Sequence, residues 1–255
     1  MKVLITRDRS QALEFAKYLE SFGFVPVFLP TIEITEPDSW DEVDEKIKRI
    51  DDYTDIIFTS SNAVRFFFER FAKFHPIEKL RTKKFHAVGI KTKSEVEKYG
   101  FSVETLPAKS DKEDLFAKIL SEKRGSRFLF PHGNLVDELS IKLLKENGLE
   151  IDNIVVYKTV KPEVSEEEKE NIKKMIEDGD IKFITFFSPS SVRNFFEIFG
   201  QIKFNGQKIA VIGETTLREC EKLGLNVDIN PMKFNPKPDA KFLAELISKE
   251  NKFLG

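Results

Sequence analysis

The sequence predicts an α/β protein made of two parallel-sheet domains that are related by an internal repeat. Short apolar runs alternate with amphipathic helical segments, which is typical of buried parallel strands flanked by helices. The chain has 255 residues, enough for two domains, and 40% hydrophobic with 33% charged residues is a globular composition. The third observation is the repeat itself.

The repeat is clearest where a strand leads into a helix. The segment DIIFTSSNAVRFFFERF aligns with KFITFFSPSSVRNFFEIF, so that Ser60 falls on Ser188 at an offset of 128 residues. Apolar residues recur at i, i+3, i+4 and i+7 in both segments, and each therefore predicts one buried helix face. HAVGIKT aligns with AVIGETT, and KVLITR at the start of one copy aligns with RFLFPH in the other.

Each copy predicts strands and helices in alternation. Four strands are predicted after glycines that end helices, in GFVPV, GFSVE, GLEID and GLNVD. Two copies of a flavodoxin-like sheet account for this order. The other predicted strands are Lys2–Thr6, Ile56–Thr59, Phe85–Gly89, Phe128–Pro131, Phe183–Phe187 and Ile209–Gly213.

The positions of two prolines bear on how the chain is divided. Pro37 and Pro162 occupy matching places after the first strand-helix-strand unit of each copy. If the chain leaves its domain at both places, one domain contains residues 1–35 plus 162–255 and the other contains residues 36–161. A sequential split near Gly125 is the alternative, and the residues themselves leave both open.

Composition and missing motifs exclude several classes of protein. A formal charge of −2 argues against nucleic-acid binding, and no run of about 18 apolar residues predicts a membrane span. The N-terminus reads as a strand and not as a secretory signal, so we expect a cytoplasmic protein. The single cysteine, Cys220, is predicted to be a buried thiol. Dinucleotide, P-loop, zinc-protease and serine-hydrolase motifs are missing, and the three histidines lack metal-ligand spacing.

Polar turns follow the predicted strands, where parallel sheets bind their ligands. Small and hydroxyl residues at helix starts can offer N–H and O–H donors to an anion, although plain helix capping also explains each single turn. Six such turns facing a cleft between two domains favour an anion site. His132 and Tyr157 could each belong to it or be structural. The turn residues include Arg7, Ser60, Ser61, Asn62, Gly89, Gly133, Asn134, Ser188, Ser190, Ser191, Gly213, Thr215 and Thr216.

The order and spacing of these motifs resemble those of the uroporphyrinogen-III synthases over nearly the whole chain. The resemblance rests on LITR, FTSSNAV, the AVG turn, FPHGN followed by VVYKTV, FFSPSSV and AVIGETT. It implies two flavodoxin-like domains joined by a two-stranded linker that the chain crosses twice, which is the exchanged division. It also implies a lyase of tetrapyrrole (haem, sirohaem, cobalamin) biosynthesis that needs no metal or cofactor.

The implied reaction closes linear hydroxymethylbilane to uroporphyrinogen III, with loss of water and inversion of the last pyrrole ring. The resemblance makes Tyr157 a donor to the departing hydroxyl and Thr216 a second catalytic residue. The other turn residues would bind the substrate carboxylates, with Arg7 and Lys208 as cations. His132 occupies a variable place in FPHGN, so its role stays open.

Partners and alternatives follow from the same reasoning. The expected partner is the polycarboxylate tetrapyrrole substrate, and we expect a monomer that could contact the preceding pathway enzyme transiently. The main alternative is a non-catalytic, hinged α/β protein that binds a small molecule. A nucleotide-dependent enzyme is a weaker alternative, because the glycine fingerprint is missing.

Overall fold

The computed structural model describes residues 1–107, 112–122, 125–236 and 238–251. The chain forms two compact units. The first unit contains Met1–Glu33 and Val160–Gly255, and the second contains Ile34–Thr159.

Strands and helices alternate along most of the chain. The strands are β1 Lys2–Ile5, β2 Val25–Phe28, β3 Glu33–Thr35, β4 Asp55–Phe58, β5 Lys84–Ala87, β6 Val103–Thr105, β7 Arg127–Gly133, β8 Glu150–Val160, β9 Ile181–Phe186 and β10 Lys208–Val211. The helices are α1 Arg9–Ser21, α2 Asp41–Lys48, α3 Ser61–Phe71, α4 Ile90–Lys98, α5 Lys112–Glu122, α6 Glu138–Glu146, α7 Glu166–Glu177, α8 Pro189–Phe199, α9 Glu214–Lys222 and α10 Ala240–Asn251. Short 3-10 helices lie at Ile50–Asp52, Ile77–Thr82 and Pro231–Lys233.

Each unit contains one sheet. The first has a parallel sheet in the order β10-β9-β1-β2. The second has the order β3-β8-β7-β4-β5-β6, in which the strands from β8 to β6 pair in parallel. In both sheets, strands from the start of one repeat copy lie beside strands from the later part of the other copy. The predicted α/β class with parallel sheets is confirmed.

The predicted apolar faces of α3 and α8 pack into the cores of their units. On α8, Phe196 is only partly buried and packs edge-on against Phe204. Every other predicted residue of the two faces is buried: Val64, Phe67, Phe68, Phe71, Val192, Phe195 and Phe199.

Four glycines end helices in the left-handed conformation, as predicted. Gly23, Gly100, Gly148 and Gly224 have φ values of 81°, 85°, 84° and 75°, a region that side chains with a Cβ rarely occupy. Strands β2, β6 and β8 follow the first three. The prediction of a strand in the fourth segment, GLNVD, is wrong.

A single bridge replaces that fourth strand, between Ile229 and Ala210. The Asp228 carboxylate accepts the backbone N–H of Ile209 at 2.8 Å, a donor that a neighbouring strand would otherwise use. Pro231 follows two residues after the bridge and has no N–H to extend the pairing.

The polar turn predicted at Pro131–Asn134 begins only at Asn134, because β7 continues to Gly133. β8 is long enough to pair with β7 along its whole length, as far as Tyr157 opposite Gly133. His132 is therefore a buried strand residue and does not lie in a turn. The other predicted strand ends, Thr6, Thr59, Gly89, Phe187 and Gly213, lie one or two residues beyond the observed ends, in the turns that lead into helices.

Two further features concern burial. Cys220 is buried as predicted, and burial, with Glu219 and Glu221 nearby, raises the pKa of its thiol to about 12. Among the described residues, no helix combines the length and the apolar character needed to cross a bilayer.

A buried hydrogen-bonded pair links β4 to β5. His86 Nε2 lies 2.7 Å from Asp55 Oδ1, and both side chains are almost fully enclosed. Burial by itself would raise the pKa of Asp55. Hydrogen bonds to the carboxylate, of which the one with His86 is the largest, have the stronger effect and lower the pKa. Because the folded pKa is below the unfolded value of about 4, Asp55 stabilises the fold above that value, and the stabilisation is lost as pH falls through the folded pKa.

We expect Asp55→Asn to lower the free energy of unfolding by about 1–3 kcal/mol at pH 7, because it removes a charged, buried hydrogen-bond acceptor. The difference from wild type should shrink below pH 4. Urea unfolding at several pH values measures both effects. Asp180→Asn, which removes an exposed ion pair with Lys2, is the control and should cost less than about 0.5 kcal/mol. Equal losses in the two variants would contradict this account of Asp55.

Candidate functional site

In the second unit, the candidate site is built around Tyr157. Its hydroxyl lies 3.1 Å from the hydroxyl of Ser60, the residue that caps α3. The ring of Phe66, one turn into α3, stacks on the Tyr157 ring at 5.9 Å between centroids. Tyr157 is therefore held at the carboxyl end of β4, where the sequence predicts ligand binding.

Gly133 allows Tyr157 to occupy this position. Gly133 pairs with Tyr157 across β7 and β8. A Cβ at Gly133 would overlap the Cζ atom of the tyrosine ring and lie 2.7 Å from its hydroxyl oxygen. Only glycine leaves room for the ring at this point.

The environment of Tyr157 determines its protonation state. Burial raises the pKa of the phenol, and the hydrogen bond with Ser60 opposes that increase only in part. Since an ordinary tyrosine has a pKa near 10, the phenol is protonated at neutral pH. It is available as a hydrogen-bond donor.

His132 supports the site from within β7. Its Nδ1 lies 2.8 Å from the carbonyl oxygen of Gly133, and its Nε2 lies 3.4 Å from the Asn153 amide nitrogen. Because a carbonyl only accepts, Nδ1 carries the proton and Nε2 accepts. Burial lowers the pKa of His132, so the ring is neutral at pH 7. Its contacts are structural, next to the glycine that faces Tyr157.

Asn134 holds the neighbouring backbone. Its side-chain oxygen accepts the N–H of Thr159 at 2.8 Å, and its own N–H donates to the carbonyl of Tyr157 at 3.2 Å. The side chain of Asn134, which the sequence predicts to bind substrate, thus stabilises the end of β8.

The predicted serines mostly cap helices. Ser60 accepts the N–H of Ala63 at 3.1 Å. In the first unit, Ser188 and Ser191 form a reciprocal capping box on α8, and Ser191 is fully buried. Ser190 contacts the Ser188 hydroxyl at 3.1 Å and is only half-buried. Ser61 and Asn62, in the first turn of α3, are also half-buried.

Two of the predicted glycines precede helices that lack such a cap. Gly89 precedes α4 and Gly213 precedes α9, and no described side chain caps either helix. Their first N–H groups are therefore suited to an anion, with support from the helix dipole. Thr215 is exposed in the first turn of α9, whereas the predicted catalytic residue Thr216 is 1% exposed.

The two predicted cations lie in different surroundings in the first unit. Arg7, just after β1, lies 4.7 Å above the Phe187 ring, and no described carboxylate is within 4.0 Å of it. Burial lowers the pKa of Arg7, and the charges of Glu14 and Asp8 oppose the decrease. An arginine remains charged at neutral pH. Arg7 can therefore attract an anion.

Lys208 does not lie with the predicted site. It is the first residue of β10, at the opposite end of that strand from Gly213. Its ammonium is 2.8 Å from Asp228, which also accepts the adjacent backbone N–H. The prediction that Lys208 binds substrate is therefore corrected. Lys208 lies at the far end of β10 from the polar turns, and its charge is already paired with Asp228.

The sequence analysis did not identify Phe66. The repeat contains a signal, because Phe66 aligns with Asn194 although the flanking residues of α3 and α8 match. Asn194 donates to the carbonyl of Thr31 at 2.7 Å, whereas Phe66 stacks on Tyr157. The replacement of Asn194 by Phe66 therefore distinguishes the unit that contains Tyr157 from the other unit.

One group of described residues has possible metal ligands within 4.8 Å of one another: Asp55, His86 and Glu104. Two donor atoms on one tetrahedral zinc ion would be about 3.3 Å apart. The 2.7 Å between His86 and Asp55 is instead a hydrogen-bond distance. We interpret this group as a structural pair with an exposed neighbour.

A family model described as uroporphyrinogen-III synthase HemD matches residues 14–238. The chain belongs to the uroporphyrinogen-III synthase family. The uroporphyrinogen-III synthase of Chlorobaculum parvum is 35% identical over 249 residues, which cover 96% of this chain and 98% of that protein. The uroporphyrinogen-III synthase of Synechococcus elongatus is 25% identical over 240 residues, with coverages of 91% and 90%.

Solved structures of the same family share the fold. A mutant uroporphyrinogen III synthase from the extremely thermophilic bacterium Thermus thermophilus has a TM-score of 0.65 at 13% identity and covers 100% of this chain and 98% of its own. The Helicobacter pylori enzyme has a TM-score of 0.61 at 19% identity, with coverages of 88% and 92%. The predicted class, a cyclising enzyme of porphyrin biosynthesis, is confirmed by membership of the uroporphyrinogen-III synthase family, and the non-catalytic binding protein is not favoured.

We expect Gly133→Ala to lower the free energy of unfolding by about 2 kcal/mol, because the new methyl group must displace the Tyr157 ring. Gly213→Ala is the control: nothing lies within 4 Å of the new Cβ, and the weaker helix-capping preference of alanine should cost no more than about 1 kcal/mol. Urea unfolding measures both. In a double-mutant cycle, Tyr157→Ala should relieve part of the Gly133→Ala penalty. Additive effects would contradict the close contact.

Proposed function

We propose that this chain converts hydroxymethylbilane to uroporphyrinogen III, and that Tyr157 assists the departure of the substrate hydroxyl. The observation that carries the proposal is the protonated phenol at a strand-end turn, together with the family of the chain. A half-enclosed O–H group is suited to donate to an oxygen that gains negative charge as its bond to carbon breaks.

The proposed reaction begins at the hydroxymethyl carbon of the substrate. The C–O bond breaks with its electron pair on oxygen while Tyr157 transfers its phenol proton to that oxygen, so that water departs and an azafulvene-like cation remains. The substituted α-carbon of the last pyrrole attacks this cation and forms a spiro intermediate. The bond from that carbon to its original methylene then breaks, and the cation formed on the neighbouring ring is attacked by the other α-carbon of the inverted pyrrole. The last carbon to be substituted loses a proton, which restores the pyrrole. The raised pKa of Tyr157 favours return of a proton to the phenol.

The eight substrate carboxylates require anion binding, although the protein has a net charge of −2. We propose that backbone N–H groups at the starts of α4 and α9 bind some of them, with Arg7 as a cation. Half-buried or exposed polar residues of the turns would contribute further donors: Ser61, Asn62, Ser190 and Thr215. The remaining predicted residues, among them Thr216 and Asn134, would shape the turns.

We further propose that the two units are flavodoxin-like domains, residues 1–35 plus 162–255 and residues 36–161, joined by a two-stranded linker. The strand orders support this, because each sheet combines strands from both repeat copies. We also propose a cytoplasmic monomer that receives its unstable substrate from the preceding enzyme of the pathway.

We expect Tyr157→Phe to reduce turnover about 100-fold, because it removes one hydrogen-bond donor and retains the ring packing. The product should still be the III isomer, since the shape of the site enforces inversion. The free energy of unfolding should change by less than about 1 kcal/mol. The assay supplies freshly made hydroxymethylbilane and identifies the porphyrin isomer after oxidation.

Tyr99→Phe is the matched control, because that ring stacks on Phe68 at 4.2 Å within the core of the second unit. It should retain full turnover. Normal turnover in Tyr157→Phe would show that Tyr157 has only a structural role. A change to the I isomer would show that the phenol also directs inversion.

For anion binding, we expect Arg7→Ala to raise KM several-fold, since many N–H donors share the carboxylates. Lys208→Ala should leave KM unchanged, because Asp228 already neutralises this lysine. Steady-state kinetics with hydroxymethylbilane measures both variants. Equal increases in KM would contradict the placement of Lys208 outside the site.

A further inference from the structure

Arg65 lies in an unusual position on α3. Its guanidinium carbon is 4.8 Å above the ring of Phe66, and Phe66 in turn stacks on Tyr157. The Phe66 ring thus contacts both the Arg65 guanidinium and the Tyr157 ring. Arg65 is half-buried, and no described carboxylate lies within 4.0 Å of it.

The repeat provides an internal comparison. Arg65 aligns with Arg193 on α8. Arg193 is exposed, and its guanidinium is paired with Glu219 on α9 at 3.1 Å. Glu95 on α4 aligns with Glu219, but it pairs with Lys98 at 2.7 Å. Among the described residues, the unit that contains Tyr157 therefore offers no acidic partner to the arginine that the other unit neutralises.

We propose that Arg65 binds a side-chain carboxylate of the substrate next to its hydroxymethyl carbon, and so fixes the departing hydroxyl at Tyr157. This inference rests on the proposed function. A guanidinium stacked on an aromatic face keeps its N–H edges available for a bidentate pair with a carboxylate. Partial burial limits screening by salt and strengthens that pair.

The stacking also connects binding with catalysis. The Phe66 ring contacts both the Arg65 guanidinium and the Tyr157 ring, so a carboxylate bound by Arg65 would be held in the neighbourhood of the phenol. A bilane carries acidic arms on every pyrrole, and one of them will always be near the reacting end. Arg65 is a substrate-binding residue in this account, and the proton stays with Tyr157.

The test compares Arg65 with Arg193 in the full-length protein, with freshly made hydroxymethylbilane as substrate. We expect Arg65→Ala to raise KM about 10-fold or more and to change kcat less than about 3-fold. Arg65→Lys, which retains the charge without the fork, should raise KM to a smaller extent. Arg193→Ala loses only an exposed ion pair and should retain the wild-type KM. KM of Arg65→Ala should also depend less on salt than that of wild type.

A wild-type KM in Arg65→Ala, or an equal increase in Arg193→Ala, would overturn the proposal while wild-type synthesis of the III isomer still supports the proposed function. A wild type that makes no III isomer would instead overturn the proposed function. Melting curves identify variants that do not fold. If Arg65→Ala is one of them, Arg65→Gln replaces it, and the same KM comparison decides.

Discussion

The contact between Gly133 and the ring of Tyr157 is the constraint on which the rest of the candidate site depends. Pairing of β7 with β8 places the two residues opposite each other, and the missing side chain at Gly133 leaves space for the phenol. The hydroxyl can then reach Ser60 at the start of α3, and Phe66 can stack on the ring. His132 binds the Gly133 carbonyl and supports the same strand end. Packing thus sets both the position and the protonation state of the phenol.

Recognition of an acidic substrate does not require a basic protein. The helix starts at Gly89 and Gly213 offer N–H groups that no described side chain caps, and these groups carry partial positive charge without altering net charge. Serine-led helix starts serve a different purpose, because the hydroxyls of Ser60 and Ser188 accept N–H groups from the first turns of their own helices. The glycine-led helix starts thus leave N–H groups without a side-chain cap, whereas the serine-led starts cap their own helices.

The two repeat copies share a framework and differ in chemistry. Both have a strand, a serine-capped helix and a core of phenylalanines, since burial of the sheet demands the same faces in each. They differ where Phe66 replaces Asn194 and where Arg65 lacks the acidic partner of Arg193. Phe66 contacts the Tyr157 ring directly, and Arg65 contacts Phe66. Both differences therefore lie in the unit that contains the phenol.

The sequence by itself determined the α/β class, the buried helix faces and the glycines that end helices, because periodicity and left-handed turns are local properties. It also marked the polar turns and named Tyr157 as a candidate for the site. Only the tertiary structure decided that β7 runs to Gly133, that Lys208 pairs with Asp228, and that Phe66 meets the phenol. These outcomes depend on which strands pair and in which register, and hydrogen bonds between neighbouring strands join residues as far as 181 positions apart. Local patterns carry no information about such distances.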